Sequence, residues 1–229
     1  MNAGCSLGKR SVFLMALVLV GCLMFLSNVV AGGMGKGSRS KNIAPIPQTG
    51  QTLCYDLTGL EILCEGTGQD ADLHAGVLLP TPRFIINGDG TVTDRLTKLV
   101  WLQDADRFAK LTWQAALDAC NSLAADGVNL ADGSIAGDWR LPSVRELFSL
   151  IHYGFHEPAV SDTEGTGQWS EGDPFVNKKS ELYYWSSTTN VQPPHREMAV
   201  WVNLSYGGVG ASPKVQTDYF RIWPVRDAN

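Results

Sequence analysis

Apolar residues recur along this chain with two different periods, and the switches between them mark out its elements. CYDLTGLEILC at 54–64 reads as two short strands around an Asp-Leu-Thr-Gly turn. EGTGQDADLHAG at 65–76 has no period and reads as a polar loop. RFIINGDGTVTD at 83–94 places apolar flanks on either side of Gly-Asp-Gly, a hairpin signal, and LVWLQDA at 99–105 reads as another short strand. Over 112–127 the period lengthens: Trp113, Ala116, Leu117, Cys120, Leu123 and Ala124 make one helix face, with Thr112 as its cap. A second helix is predicted over 143–152. Ser143 and Glu146 form a capping box there, and Val144, Leu147, Phe148 and Ile151 form the apolar stripe. Residues 153–180 read as a long loop rich in Gly, Pro and acids. YYWSST at 183–188, EMAVWVNLSYGGV at 197–209 and YFRIWPVR at 219–226 read as the main strands, with a hairpin across Tyr-Gly-Gly. In YYWSST, Tyr184 and Ser186 share one face and Tyr183 and Trp185 the other.

These elements predict an α+β domain in which two helices pack on a twisted, mostly antiparallel sheet with long loops. The expected division is a strand-rich segment over 51–98 and a domain over 99–229. Upstream, 32–50 is rich in Gly, Ser and Pro and reads as a flexible linker. Residues 1–31 read as a signal peptide: GKR at 8–10, an apolar run at 11–26, then Val29 and Ala31 before the cut. The run falls short of the roughly 20 residues of a membrane span. Two alternatives stand beside cleavage after Ala31: an uncleaved anchor, or lipidation at Cys22 within LVGC. A secreted or periplasmic location is therefore expected, with a lipoprotein or membrane-anchored form at the cell surface as the alternative.

Composition narrows the function. The 229 residues carry a formal net charge of -5, which argues against binding a nucleic-acid backbone. Five cysteines are present, two of them in the leader. In an oxidising compartment Cys54 and Cys64 are expected to pair, leaving Cys120 as a buried, inert thiol on the first helix. Neither a CxxC nor a clustered His/Cys set supports a structural zinc site.

DWRLPSVREL, YYWSST, WVNLSYG and FRIWPVR, preceded by GTGQD, PRF, NGDGTVTD and LVWLQDA, resemble the family of the C-terminal domain of the Legionella collagen-like protein. The resemblance runs over 50–227. It implies a fold similar to C-type lectin domains and a secreted or cell-surface bacterial setting. The adhesin for which the family is named binds sulfated glycosaminoglycans, so the resemblance implies adhesion to glycans or sulfated polysaccharides; envelope proteins are the other partners expected. Members ending RCVR carry a cysteine near the position of Trp223, so a bridge from Cys120 to the last strand has no partner here.

Function is expected to be that of an extracytoplasmic ligand-binding or adhesion module. A structural envelope protein without a small ligand is the alternative, and a hydrolase a more remote one. Asp162, Glu164, Trp169, Glu171, Asp173, Tyr184 and Tyr206 are the candidate ligand residues, and Trp139, Arg140, Pro142, Trp185, Trp201 and Trp223 the structural ones. Arg140 is expected to clamp a loop carboxylate or carbonyls. No catalytic set is assigned: GxSxG is absent, no His is placed by spacing near Ser186 or Ser187, and surface or capping roles are expected of His152 and His156. No cofactor is assigned. The acidic loop 161–173 offers oxygen ligands that suit calcium, but the Glu-Pro-Asn, Gln-Pro-Asp and Trp-Asn-Asp signatures of calcium lectins are missing. NGDGTVTD looks like a calcium loop; with Gly90 as its sixth residue, Ile85 and Leu96 fall where carboxylates are needed, so a hairpin turn is expected.

Overall fold

A computed structural model describes residues 46–177, 179 and 182–228. The expected signal peptide, the alternative lipidation site and the linker as far as residue 45 lie outside the described residues. In chain order the elements are β1 (Cys54–Tyr55), β2 (Glu61–Ile62), α1 (Asp70–Leu73), β3 (Phe84–Ile86), β4 (Thr91–Asp94), β5 (Leu99–Leu102), α2 (Trp113–Ser122), α3 (Val144–Phe148), β6 (Tyr183–Thr189), β7 (Met198–Asn203), β8 (Gly208–Pro213) and β9 (Val225–Asp227). The fold is α+β and mostly β. The expected single sheet is replaced, among the described residues, by three antiparallel ones: β1-β2, β3-β4-β5-β9 and β6-β7-β8. The four-stranded sheet crosses the expected boundary at residue 98, because β4 pairs with β5 and β5 with β9. Residues 46–50, expected to be linker, are part of the fold: Pro47 bridges Val77, and Tyr153 donates its N–H to the Thr49 carbonyl at 2.7 Å.

The Asn87–Gly90 segment is the hairpin turn predicted. Ile86 faces Val92 across it, and Asp89 takes the Thr91 N–H at 3.0 Å and its hydroxyl at 2.6 Å. Gly90 is required twice over: its φ is +87°, and a Cβ there would run into the Asn129 carbonyl. Asp94 then caps the next turn by accepting from Leu96 N–H at 2.8 Å.

Both predicted helices form with their predicted caps. The Thr112 hydroxyl accepts from Ala115, and the Ser143–Glu146 capping box is complete. Both are shorter than their apolar periods suggest. Leu123 leaves α2 with ψ 131°, which carries its side chain into the core. Ile151 leaves α3 to pair with Val160. Tertiary burial of these leucine and isoleucine side chains overrides local helix preference. Conversely, α1 forms inside the expected polar loop, with Ala71 buried beneath it and His74 in a left-handed conformation at its end. At the C-terminus, the expected strand 219–226 pairs only over Val225–Asp227 and at single bridges such as Tyr184–Arg221.

The pleat of β6 and β7 divides the core in two. Tyr184 and Val202 face one cluster; Trp185 and Ala199 face the other, which Tyr183 and Trp201 cover from its edge. Trp223 is the hub of the first. Trp101, Trp169, Phe175 and Tyr184 surround it at ring-centroid distances of 5.5, 5.8, 4.7 and 5.3 Å, and its indole N–H donates to the Leu102 carbonyl at 2.7 Å. Cys54 and Cys64 are disulfide-bonded, and Cys120 is free and buried.

One buried ion pair was not foreseen. The Arg83 Nε and Nη2 donate to Asp94 at 2.9 and 3.0 Å, with side-chain exposures of 1% and 0%. Asp94→Asn leaves a buried guanidinium without its counter-charge, and is expected to lower stability by about 3–5 kcal/mol in urea unfolding. Replacing both partners, as Arg83→Met with Asp94→Leu, is expected to cost less than the single change. A single change within 1 kcal/mol of wild type would count against the pair as an anchor.

Candidate functional site

The loop 161–173 does not gather its carboxylates. Asp162 Oδ1 accepts from the N–H groups of Gly165 at 2.8 Å and Thr166 at 3.1 Å. Asp173 Oδ1 accepts from Thr163 N–H at 3.0 Å, and Glu171 from Asn177 N–H at 2.6 Å. Glu164 is exposed. Each of the three bonded acids therefore holds backbone, as Asp does in Asx turns. Among the described residues no group of three or more His, Cys, Asp or Glu could hold a metal ion.

The aromatic candidates separate as well. Trp169 (1% exposed) and Tyr184 (0%) are core side chains, so neither can stack on a ligand. The Trp169 indole N–H donates to the Phe175 carbonyl and the Tyr184 hydroxyl to that of Ala105. Tyr206 is exposed on the β7–β8 turn, where a hydrogen bond with Tyr183 raises the pKa of its hydroxyl.

Trp139, Pro142, Trp185 and Trp223 are buried, and Trp201 is partly so. Arg140 grips both Glu146 oxygens, at 2.8 and 2.7 Å, and reaches Asp227 at 3.0 Å. It thus joins the capping box of α3 to β9. Its hydrogen bonds with Glu146 raise the guanidinium pKa, and Arg140 and Ser143 hold Glu146 low against its burial. Asp132, Asp138 and Asp227 line a polar depression of about 270 Å³ with Arg226, but Asp132 pairs with Arg226 and Asp138 accepts from Ile135 N–H.

The cleft best built for a ligand lies elsewhere. It has a volume of about 420 Å³, and its walls come from segments far apart in sequence. One wall is the strap Gln48–Thr52. It is held by Gln48 N–H on the Val77 carbonyl at 2.9 Å, by Gln48 Nε2 on the His74 carbonyl at 2.7 Å, and by a bond from the Thr49 hydroxyl to Asp70. The opposite wall is Gly165–Thr166 of the acidic loop. The floor is His152 stacked on Phe155, with ring centroids 4.4 Å apart and planes 21° apart. The seven candidate ligand residues are not among its lining residues. Glutamines, threonines and glycines make most of it, beside Asp70, His74, Leu78 and Leu79, and these leave no distinctive sequence signal.

His152 is not on a helix or at the surface, as expected, but beyond α3 and 6% exposed. Its N–H donates to the Ala159 carbonyl at 2.8 Å, which anchors the backbone. Gly50 and Gly154 crowd the ring so closely that a Cβ on either would strike it. Nδ1 accepts from Gly154 N–H at 3.2 Å, so the neutral ring carries its proton on Nε2. Burial and then the Arg83 charge push its pKa down. Among the remaining parts of a hydrolytic set, Ser186 is buried and donates to the Val200 carbonyl, and His195 lies beside Glu197 at 3.9 Å.

A second, more apolar groove of about 420 Å³ adjoins the cleft and shares Gln48, Thr49 and Leu79 with it. Phe148 and Tyr153, each 39% exposed with centroids 6.3 Å apart, form its aromatic wall.

The lowered pKa gives a signed test. Because the folded His152 binds its proton less tightly than the unfolded one, its contribution to stability is complete above about pH 6.5 and is lost as pH falls through the folded value. Urea midpoints measured between pH 7.5 and 5 are expected to fall, and His152→Asn is expected to flatten that slope. Glu146, also held low, contributes its own loss only in the more acidic carboxylate range. An unchanged slope in His152→Asn contradicts the buried neutral imidazole.

No curated protein matches the chain significantly. The family model described as the Lcl C-terminal domain matches residues 90–226, which covers α2, α3 and the sheet β6-β7-β8 but leaves the strap and α1 upstream of it. The chain belongs to the Lcl C-terminal domain family.

Proposed function

We propose that this protein is an extracytoplasmic binding module, of C-type lectin-like architecture, whose cleft over His152 and Phe155 takes an uncharged, hydroxyl-rich ligand such as a neutral glycan. The observation that carries the reading is the chemistry of the lining. Gln51, Thr52, Thr81 and Thr166 offer neutral donors and acceptors around one stacked ring pair. Such a set suits sugar hydroxyls, with the apolar face of a sugar ring lying on the half-buried Phe155, which His152 backs from beneath. Asp70 is the one carboxylate in the lining, and no Lys or Arg is among the lining residues. A sulfated polymer needs cations, so neutral glycans are favoured over sulfated ones at this cleft.

The lectin-like architecture is supported by two helices, a long irregular segment and then a three-stranded sheet, with the last strand returning to pair with β5. An extracytoplasmic location is supported by the Cys54–Cys64 bridge, since such bonds persist in oxidising compartments. A role without catalysis is supported by Ser186, which is buried, bonded to the Val200 carbonyl and not among the residues that line the cleft.

Glycan-array binding, run with and without EDTA, tests this. Neutral glycans are expected to bind equally in both conditions. Gln51→Ala is expected to weaken that binding roughly threefold to tenfold, the effect of one lost hydrogen bond. Binding that disappears with EDTA contradicts the cleft described here. Absence of binding to neutral and sulfated glycans alike would leave the structural envelope protein as the better account.

A further inference from the structure

The β1-β2 hairpin presents apolar side chains to solvent. Leu57 is 107% exposed, Leu63 90% and Leu60 66%. The hairpin is nevertheless tightly built. The Cys54–Cys64 bond closes it, and Asp56 Oδ1 locks its turn by accepting from Thr58 N–H at 2.8 Å, the Thr58 hydroxyl at 2.7 Å and Leu60 N–H at 3.0 Å. Those bonds hold the Asp56 carboxyl below its usual pKa, so the turn keeps its negative charge. Leucines fixed in position on a constrained protrusion have already lost much of the freedom that binding would otherwise cost. An exposed apolar group of this kind marks an interaction surface.

The same chain carries a matching recess. The apolar groove beside the cleft is walled by Phe148, Tyr153, Val209 and Ile46. Arg145 stands exposed at its rim, while Asp56 and Glu61 flank the leucines of the hairpin. Shape class and charge therefore agree: an acidic-edged apolar peg and a basic-edged apolar hole. The hairpin lies upstream of the matched family region.

We infer that the 54–64 hairpin of one copy docks in the Phe148–Tyr153 groove of a second copy. Peg and hole are different surfaces, so the contact either exchanges reciprocally in a two-fold dimer or repeats head-to-tail into a ring or a filament. Buried pairing of leucines with the aromatic wall supplies the attraction, and Arg145 against Asp56 or Glu61 sets the orientation. The glycan-directed cleft adjoins this groove but keeps its own floor at His152 and Phe155, so the two proposals stand separately.

Photo-crosslinking in the full-length chain tests the contact. Benzoylphenylalanine is placed at Leu57 or at Leu63, and at Val191 as an exposed control (75%). Both hairpin positions are expected to give a dimer-sized adduct. Its crosslinked peptide is expected to map to 144–153 or 208–213 of the second copy, and Val209→Glu is expected to reduce the adduct about tenfold. Near-ultraviolet circular dichroism checks that this variant remains folded. Adducts to lipid, to another protein, to the same chain or to a second hairpin overturn the inference. So do monomer alone, or a dimer yield from Val191 equal to that from Leu57.

Discussion

The Arg83–Asp94 pair is the interaction on which the rest of the structure depends. Burying both charges is costly, and it is tolerated only because each is fully bonded. Arg83 gives two hydrogen bonds to Asp94 and a third, at 2.8 Å, to the Ser149 carbonyl at the end of α3. Asp94 also accepts from Leu96 N–H and from the Thr97 hydroxyl. The N–H groups of Arg83 and Phe84 both donate to the Thr163 carbonyl, at 2.9 and 3.0 Å, and Gly165 packs against the Arg83 side chain so closely that only glycine fits. One residue thereby ties the first hairpin of the large sheet to the end of α3 and to the acidic loop.

That tie places the cleft. His152 follows the α3 end that Arg83 holds, and Gly165–Thr166 sits on the loop that Arg83 holds. The strap Gln48–Thr52 then leans on the segment that follows α3, through the Thr49 carbonyl and the close packing of Gly50 on the imidazole. The recess is thus walled by backbone and short side chains that are fixed before any ligand arrives, which lowers the cost of binding. Two of its walls, the strap and α1, precede the region shared with the family.

Much of the fold was legible because its signals are local. The Asn87–Gly90 turn, the Thr112 cap, the Ser143–Glu146 box and the Cys54–Cys64 bridge are each written in a few adjacent residues. Helix ends were not, since Leu123 and Ile151 leave their helices for partners far away in sequence. Nor was the division of one sheet into three, which depends on which strands meet in space. The site was the least legible part. Acidic residues drew attention to 161–173, yet Asp162, Glu171 and Asp173 are engaged with backbone N–H groups. Trp169 and Tyr184 looked like ligand contacts and are core. The walls of the proposed cleft are mostly Gln, Thr, Gly and Leu, residues too common to stand out. The Arg83–Asp94 pair did leave a trace, a charge at each end of a hairpin whose register brings Phe84 opposite Asp94.

The central claim is that the cleft is preorganised because its walls hang on this one buried pair. Native-state amide hydrogen exchange in low urea tests it most directly. Leu96 N–H reports the pair itself, Phe84 and Gly165 the acidic-loop wall, and Tyr153 the strap. The account predicts that all four open together with a single free energy. Rapid, independent exchange at Tyr153 and Gly165 while Leu96 stays protected would contradict it.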